Sequence, residues 1–262
     1  MKTAAAHGST ALVLHQARFD LRGFIRNRQA RFFTLALPLI FLVIFTGIFG
    51  NDTVAGVELK TLYVPGIAAM AVIAASFINL VISITVLREE GILKRRRATP
   101  VPAWVLIAGR TLMAITVSAA SVIVLLLVGR FGFHVHMPAH NIPGFAITVV
   151  VGSITFCVLG YAFSTAIANE DAAQPMVQAV MLPLYFISGI FIAPPSLPSW
   201  LRNIAKVFPV QHLAHGLQHA FQPGAAGIGI VWSDLGVLGI WAAIGVAVAL
   251  RRFSWLPKAA SA

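Results

Sequence analysis

The chain has 262 residues, 58% of them hydrophobic and only 10% charged, with a mean hydropathy of +0.87. Soluble domains carry about 25% charged residues, and a core of this length cannot hide so much apolar surface, so a water-soluble enzyme is excluded. The formal net charge of +11 therefore points to basic loops of a membrane protein rather than to nucleic acid. The lone Cys157 excludes an internal disulfide and a multi-thiolate metal centre.

The first predicted element is an interfacial helix over residues 12–31. Leu14, Ala17, Leu21, Phe24 and Ile25 recur at i, i+3/i+4, with Arg18, Arg22 and Arg26 on the adjacent stripe and only Phe19 out of place. An apolar face in the acyl boundary with arginines toward phosphate is the pattern of a helix lying on a membrane. These residues hold no apolar h-region, so no cleavable leader is expected in them.

About 20 apolar residues cross a bilayer as a helix, and six stretches qualify. They are Phe32–Asn51, Thr61–Leu87, Ala103–Val128, Ile142–Ala168, Met176–Ala193 and Ile228–Leu250, the fifth shortened and bent by Pro183. The alternation of a barrel is absent, so the expected fold is an all-α membrane protein, one domain over 1–262. The two three-span halves show no convincing repeat. Lysine and arginine fall fourteen against four on the two sides, Arg110 set aside, which places both termini in the cytoplasm.

The most informative stretch is residues 88–102, from Arg88-Glu89-Glu90-Gly91-Ile92-Leu93-Lys94-Arg95 through Arg97 to Thr99-Pro100. A topology anchor needs only a few basic residues, whereas this loop orders an acid pair, a glycine, an apolar pair, a basic run and a Thr-Pro stop. Gly91 breaks the second span, Ile92 to Ala98 form a short helix, and Pro100 prevents its continuation. A short charged helix bounded by breakers is suited to docking a soluble partner.

That run closely resembles the cytoplasmic loop of type-2 ABC export permeases of the daunorubicin/oleandomycin resistance branch, with Arg96 where members often have leucine. The resemblance extends over nearly the whole chain. It includes Leu184-Tyr185-Phe186-Ile187-Ser188-Gly189-Ile190-Phe191 and the following Pro194 to Leu201, similar to the family's fifth span and its exit. Residues 194–227 resemble its external re-entrant element. The resemblance implies a multi-pass permease of the bacterial cytoplasmic membrane that pairs with a second copy or a paralogue. Each permease would recruit a separate ATP-binding subunit, two copies in all, holding ATP and Mg. The loop helix would be the coupling helix, with Arg88, Glu89, Glu90, Gly91, Ile92, Leu93, Lys94, Arg95, Arg97, Thr99 and Pro100 as the docking residues. No Gly-x-x-x-x-Gly-Lys-Ser/Thr occurs, so no cofactor is expected on this chain.

His212, His215 and His219 share one helical face, but no nearby Asp, Glu or Cys completes a metal set in the sequence, so they read as polar lining of an external vestibule. His134, His136 and His140 form a short external loop. Arg110, Glu170, Asp171 and Asp234 lie close to span ends, where snorkelling or capping explains them, and no midplane carboxylate suggests an ion-coupled carrier. Substrate-pathway candidates are the aromatic and methionine residues Phe41, Phe45, Phe49, Met181, Tyr185, Phe186 and Phe191, together with the polar Asn79 and Ser83. The expected function is ATP-driven export of a hydrophobic drug, lipid or lipid-like metabolite. The alternative is export of a polyprenyl-linked polysaccharide or glycolipid. A membrane enzyme lacks its signature, having neither Asp-Asp-x-x-Asp nor His-Glu-x-x-His, and a structural anchor is the third class.

Overall fold

The structure, a computed structural model, describes residues 9–50, 52–54, 56–97, 102–137, 139–192, 196–222 and 227–252. Thr99 and Pro100 of the charged loop, Pro194 and Pro195, and the basic tail beyond Arg252 lie outside the described residues.

The helices in chain order are α1 (Ser9–Arg26), α2 (Arg28–Phe49), α3 (Leu59–Glu89), α4 (Ile92–Arg97), α5 (Ala103–Phe133), α6 (Ile142–Ser164), α7 (Glu170–Ile187), α8 (Ser199–Ala205), α9 (Pro209–Phe221) and α10 (Trp232–Arg252). A small antiparallel hairpin that the apolar pattern did not predict, β1 (Thr53–Val54) with β2 (Val57–Glu58), joins α2 to α3 and pairs Thr53 with Glu58.

Among the described residues, five helices are long and apolar enough to cross a membrane: α2, α3, α5, α6 and α10. The fifth of the six predicted spans is the exception. α7 begins six residues before the expected Met176 because Asn169 caps it, its Oδ1 accepting the Ala172 N–H at 2.9 Å. Glu170 and Asp171 then occupy the first turn, at the positive end of the helix dipole. Two carboxylates in an 18-residue helix leave too short an apolar run.

The centre of the bundle is α3, with 83% of its most apolar stretch buried, against 22% for α2 and 17% for α10. Its run of small residues (Gly66, Ala68, Ala69, Ala71, Ala74, Ala75) lets neighbours approach closely. Two π turns interrupt the regular ladder, Phe32–Ala36 in α2 and Ala74–Ile78 in α3. The first sits just ahead of Pro38, which brings no N–H to the helix.

A helix stands where the interfacial helix was expected, beginning by Ser9 and ending at Arg26. Asn27 opens α2, its Oδ1 accepting the Ala30 N–H at 3.0 Å. One side of α1 is seated on α5: an added Cβ at Gly109 would lie 2.7 Å from Gln16 Cβ and 3.2 Å from the Ala17 nitrogen. Phe24 is buried with Ala75, Met113 and Val117. Leu14, Phe19 and Ile25 remain exposed apolar residues.

At the opposite end, α9 is tied into the bundle by polar contacts. Gln218 Nε2 donates to Gly189 O at 2.8 Å and to Leu62 O at 3.2 Å. Asn141 Nδ2 donates to Ala220 O at 3.1 Å, and the Gly144 N–H donates to Ile228 O at 3.0 Å.

Candidate functional site

The charged loop is built on the end of α3. Gly91 stands in the left-handed region, φ +68°, which ends α3 and turns the chain into α4 at little steric cost to a glycine. Leu93 is buried in one apolar cluster with Leu80, Ile84, Ala114, Cys157 and Tyr161, and α4 is seated beside the end of α3. Glu90, Lys94 and Arg95 are exposed on the other side. One apolar anchor and a free charged face give α4 a defined position and leave a surface for a partner.

Arg88 departs from its sequence reading as a docking residue. It is 2% exposed and points into the protein. Its guanidinium donates to Ser164 O at 3.0 Å, Ile167 O at 2.8 Å and Ala168 O at 3.4 Å. These carbonyls belong to the end of α6 and the turn after it, which have no partners within the helix. A cation there also complements the negative end of the α6 dipole. Arg88 therefore fastens the loop end of α3 to the same end of α6. Glu89, half-buried, lies 3.5 Å from Arg88 Nε as an ion pair without hydrogen-bond geometry.

The aromatic candidates converge from three elements. Phe45 stacks on Phe191 at 5.1 Å and 15°. Phe41 meets Phe191 at 5.1 Å and Phe186 meets it at 5.2 Å. Phe45 also touches Tyr63 at 5.4 Å and Phe49 at 6.2 Å. Phe191, Tyr185 and Met181 are buried, while Phe49 and Phe186 are exposed. The result is an aromatic ladder with a buried rail and an open edge. At the rail the Tyr185 hydroxyl is buried and has no hydrogen-bond partner among the described residues. Asn79 and Ser83 are not part of this ladder; they border a separate cavity beside α1.

The sequence reading of the histidine face missed a carboxylate. Asp234, 4% exposed, holds two rings of α9: its Oδ1 lies 2.7 Å from His212 Nδ1 and its Oδ2 lies 2.6 Å from His215 Nδ1. His212 Nε2 lies 2.8 Å from Lys206 O. Both partners of His212 can only accept, so the ring satisfies them fully as an imidazolium with two N–H groups. Its pKa is raised, chiefly by the hydrogen bond to Asp234 and against the opposing effect of burial. Asp234 is thus a clamp between α9 and α10 rather than a snorkelling or capping group. Among the described residues no cluster of three or more His, Cys, Asp or Glu forms a metal site.

A bundle of five helices long and apolar enough to cross a membrane, with a short charged helix seated on it, is the build of a multi-pass membrane protein. The ABC-2 type transporter family model matches residues 14–221, and the chain belongs to that family. It is 23% identical over 178 residues to the "Probable multidrug ABC transporter permease YbhR" of Escherichia coli K12, covering 68% of this chain and 48% of that protein. It is 25% identical over 182 residues to the "Daunorubicin resistance ABC transporter permease protein DrrB1" of Streptomyces coeruleorubidus, covering 68% of this chain and 63% of that one. To the "Inner membrane transport permease YadH" of E. coli K12 it is 24% identical over 195 residues, covering 72% and 75%. The chain thus spans about half the length of YbhR.

Proposed function

We propose that this chain is the permease half of an ATP-driven exporter of a hydrophobic drug or lipid-like molecule across the bacterial inner membrane. A separate ATP-binding subunit supplies the energy and holds ATP and Mg. The observation that carries the reading is α4: Leu93 fixes it to the bundle while Glu90, Lys94 and Arg95 stand free. A partner that pushes on this charged face displaces the end of α3, and Arg88 passes the displacement to α6.

In this reading α4 is the coupling helix, α7 completes a six-span layout, and residues 194–227 form the external re-entrant segment. Both termini lie in the cytoplasm, as the lysine and arginine distribution requires. Two permease copies meet along α2 and α7, whose apolar side chains Ile44, Ile48, Phe49 and Phe186 are exposed. Substrate passes the aromatic ladder on its way out, a surface suited to large apolar molecules of varied shape.

The test is co-expression with a candidate ABC ATP-binding subunit from the same genome. A double charge reversal, Lys94→Glu with Arg95→Glu, is expected to lower co-purification of that subunit about tenfold or more, since like-charge juxtaposition at an interface costs several kcal/mol. Both side chains are exposed, so the melting temperature of the permease alone should stay unchanged. Full assembly and full substrate-stimulated ATP hydrolysis in that variant would overturn the docking role.

A further inference from the structure

A cavity of about 260 Å³ lies between α1, the start of α2, the second half of α3 and the first turns of α5. It is separate from both the aromatic ladder and the α4 face. Both π turns open onto it: Phe33 and Thr34 come from the first, and Ala74 and Ile78 from the second. Such turns widen a helix locally and often mark working sites.

Its walls are mostly apolar, with Phe24, Phe33, Ile82 and Met113 among them, yet they carry a carboxylate, Asp20, and a guanidinium, Arg110. Asp20 is 8% exposed. No ion pair within 4.0 Å joins the two among the described residues. Among the described residues, Arg110 Nε and Gln174 Oε1 are buried with no hydrogen-bond partner. A buried polar group left unmet costs about 1–3 kcal/mol, more when charged. The site therefore asks for one acceptor at Arg110 and a donor at Gln174, with the Asp20 carboxylate in the same wall as a fixed negative charge.

Arg110 is seven residues into α5, ~10 Å along its axis. That depth is where headgroup gives way to acyl chain; α1 lines the cavity with Asp20, Gly23 and Phe24 and carries its exposed Arg18, Arg22 and Arg26 on another face. We infer that the cavity binds a zwitterionic phospholipid with a primary-ammonium headgroup, of the phosphoethanolamine type. The phosphate accepts from Arg110 Nε, the ammonium donates to Gln174 Oε1 and Asp20, and the start of the acyl chains lies along Phe24 and Met113. A choline headgroup has no N–H to donate. A glycerol headgroup leaves a net negative lipid beside Asp20.

The assignment to the cytoplasmic leaflet rests on the orientation proposed above, whereas the headgroup chemistry does not. The full chain, without its ATP-binding partner, is placed in nanodiscs of equal palmitoyl-oleoyl phosphatidylethanolamine, phosphatidylcholine and phosphatidylglycerol. Native mass spectrometry then reads which lipid is retained. One ethanolamine lipid per chain is expected, preferred about tenfold, as one or two hydrogen bonds to charged groups provide. Arg110→Gln should abolish retention, and Asp20→Asn should retain the lipid but lose the preference over the glycerol form.

Gly23 also lines the cavity, and an added Cβ there meets nothing within 4 Å. Gly23→Leu should therefore block the site without lowering the melting temperature, because leucine is the better helix former. Equal retention of the three lipids, or retention unaffected by Arg110→Gln or Gly23→Leu, overturns the site. Leaflet is read separately from a Thr10→Cys label, since the native Cys157 is buried: labelling of intact spheroplasts overturns the cytoplasmic assignment alone.

Discussion

Arg88→Met is expected to destabilise the permease by about 3 kcal/mol, read as a lowered thermal midpoint in detergent. The three carbonyls at the end of α6 lose their donor at once, and no water stands ready to replace it at a site 2% exposed. Methionine fills much of the same volume, so the loss reports on hydrogen bonding rather than on a cavity. Arg88→Lys should recover only part of the loss, because a single ammonium cannot reproduce a planar fork that reaches Ser164 O and Ile167 O from different nitrogens. Glu89→Gln should cost less than Arg88→Met, because the 3.5 Å pair has no hydrogen-bond geometry and the amide keeps an acceptor oxygen beside Arg88. If Arg88 links α3 to α6 mechanically, the Met variant that survives folding will also show ATP hydrolysis with reduced transport per ATP. An unchanged midpoint in Arg88→Met would remove the fastening role.

The same residue shows where sequence reading stops. Arg88 stands in a charged run, and such runs are ordinarily solvated, so it read as part of a docking surface. Its partners lie 76 to 80 positions further along, and nothing local announces unpaired carbonyls there. Leu93, expected with it among the docking residues, is likewise buried, in an apolar cluster with Ile84 and Tyr161. Long apolar runs revealed α2, α3, α5, α6 and α10 because lipid demands about 20 such residues per crossing. Their ends were missed by a few positions because caps, not hydropathy, set them: Asn27 starts α2 and Asn169 starts α7. The acid pair that made 169–175 look like a connection is in fact the favourable first turn of a helix. Phe41, Phe45, Phe186 and Phe191 lie together, whereas Asn79 and Ser83 border a separate cavity, because helical position alone does not say which neighbour a face meets.

Asp234→Ala is expected to loosen the outer hairpin by about 2–3 kcal/mol: two charge-assisted hydrogen bonds are lost, and the His215 contribution is small because that ring is half exposed. The pH dependence gives the sharper test. The folded-state pKa of His212 is raised by its bond to Asp234, so the imidazolium contributes stability that is fully present below the unfolded value of about 6.5. That contribution fades as pH rises through the raised folded value. The wild-type thermal midpoint should therefore be highest in mild acid and fall across neutral and alkaline pH, with the Lys206 carbonyl losing its Nε2 donor at the same time. Asp234→Asn keeps the shape of the side chain but removes the charge that favours the imidazolium, so its midpoint should be lower in acid and nearly flat across the same range. The groups that face His212 and His215 are Asp234 from α10 and the Lys206 carbonyl from the turn before α9, with His219 a turn further along α9 and 6.3 Å from the His215 ring. His219→Gln should leave the slope in place, whereas His212→Gln should remove it. A wild-type midpoint that rises with pH, or an Asp234→Asn profile that runs parallel to wild type, would show that the His212 ring is held neutral and meets Asp234 as a neutral donor.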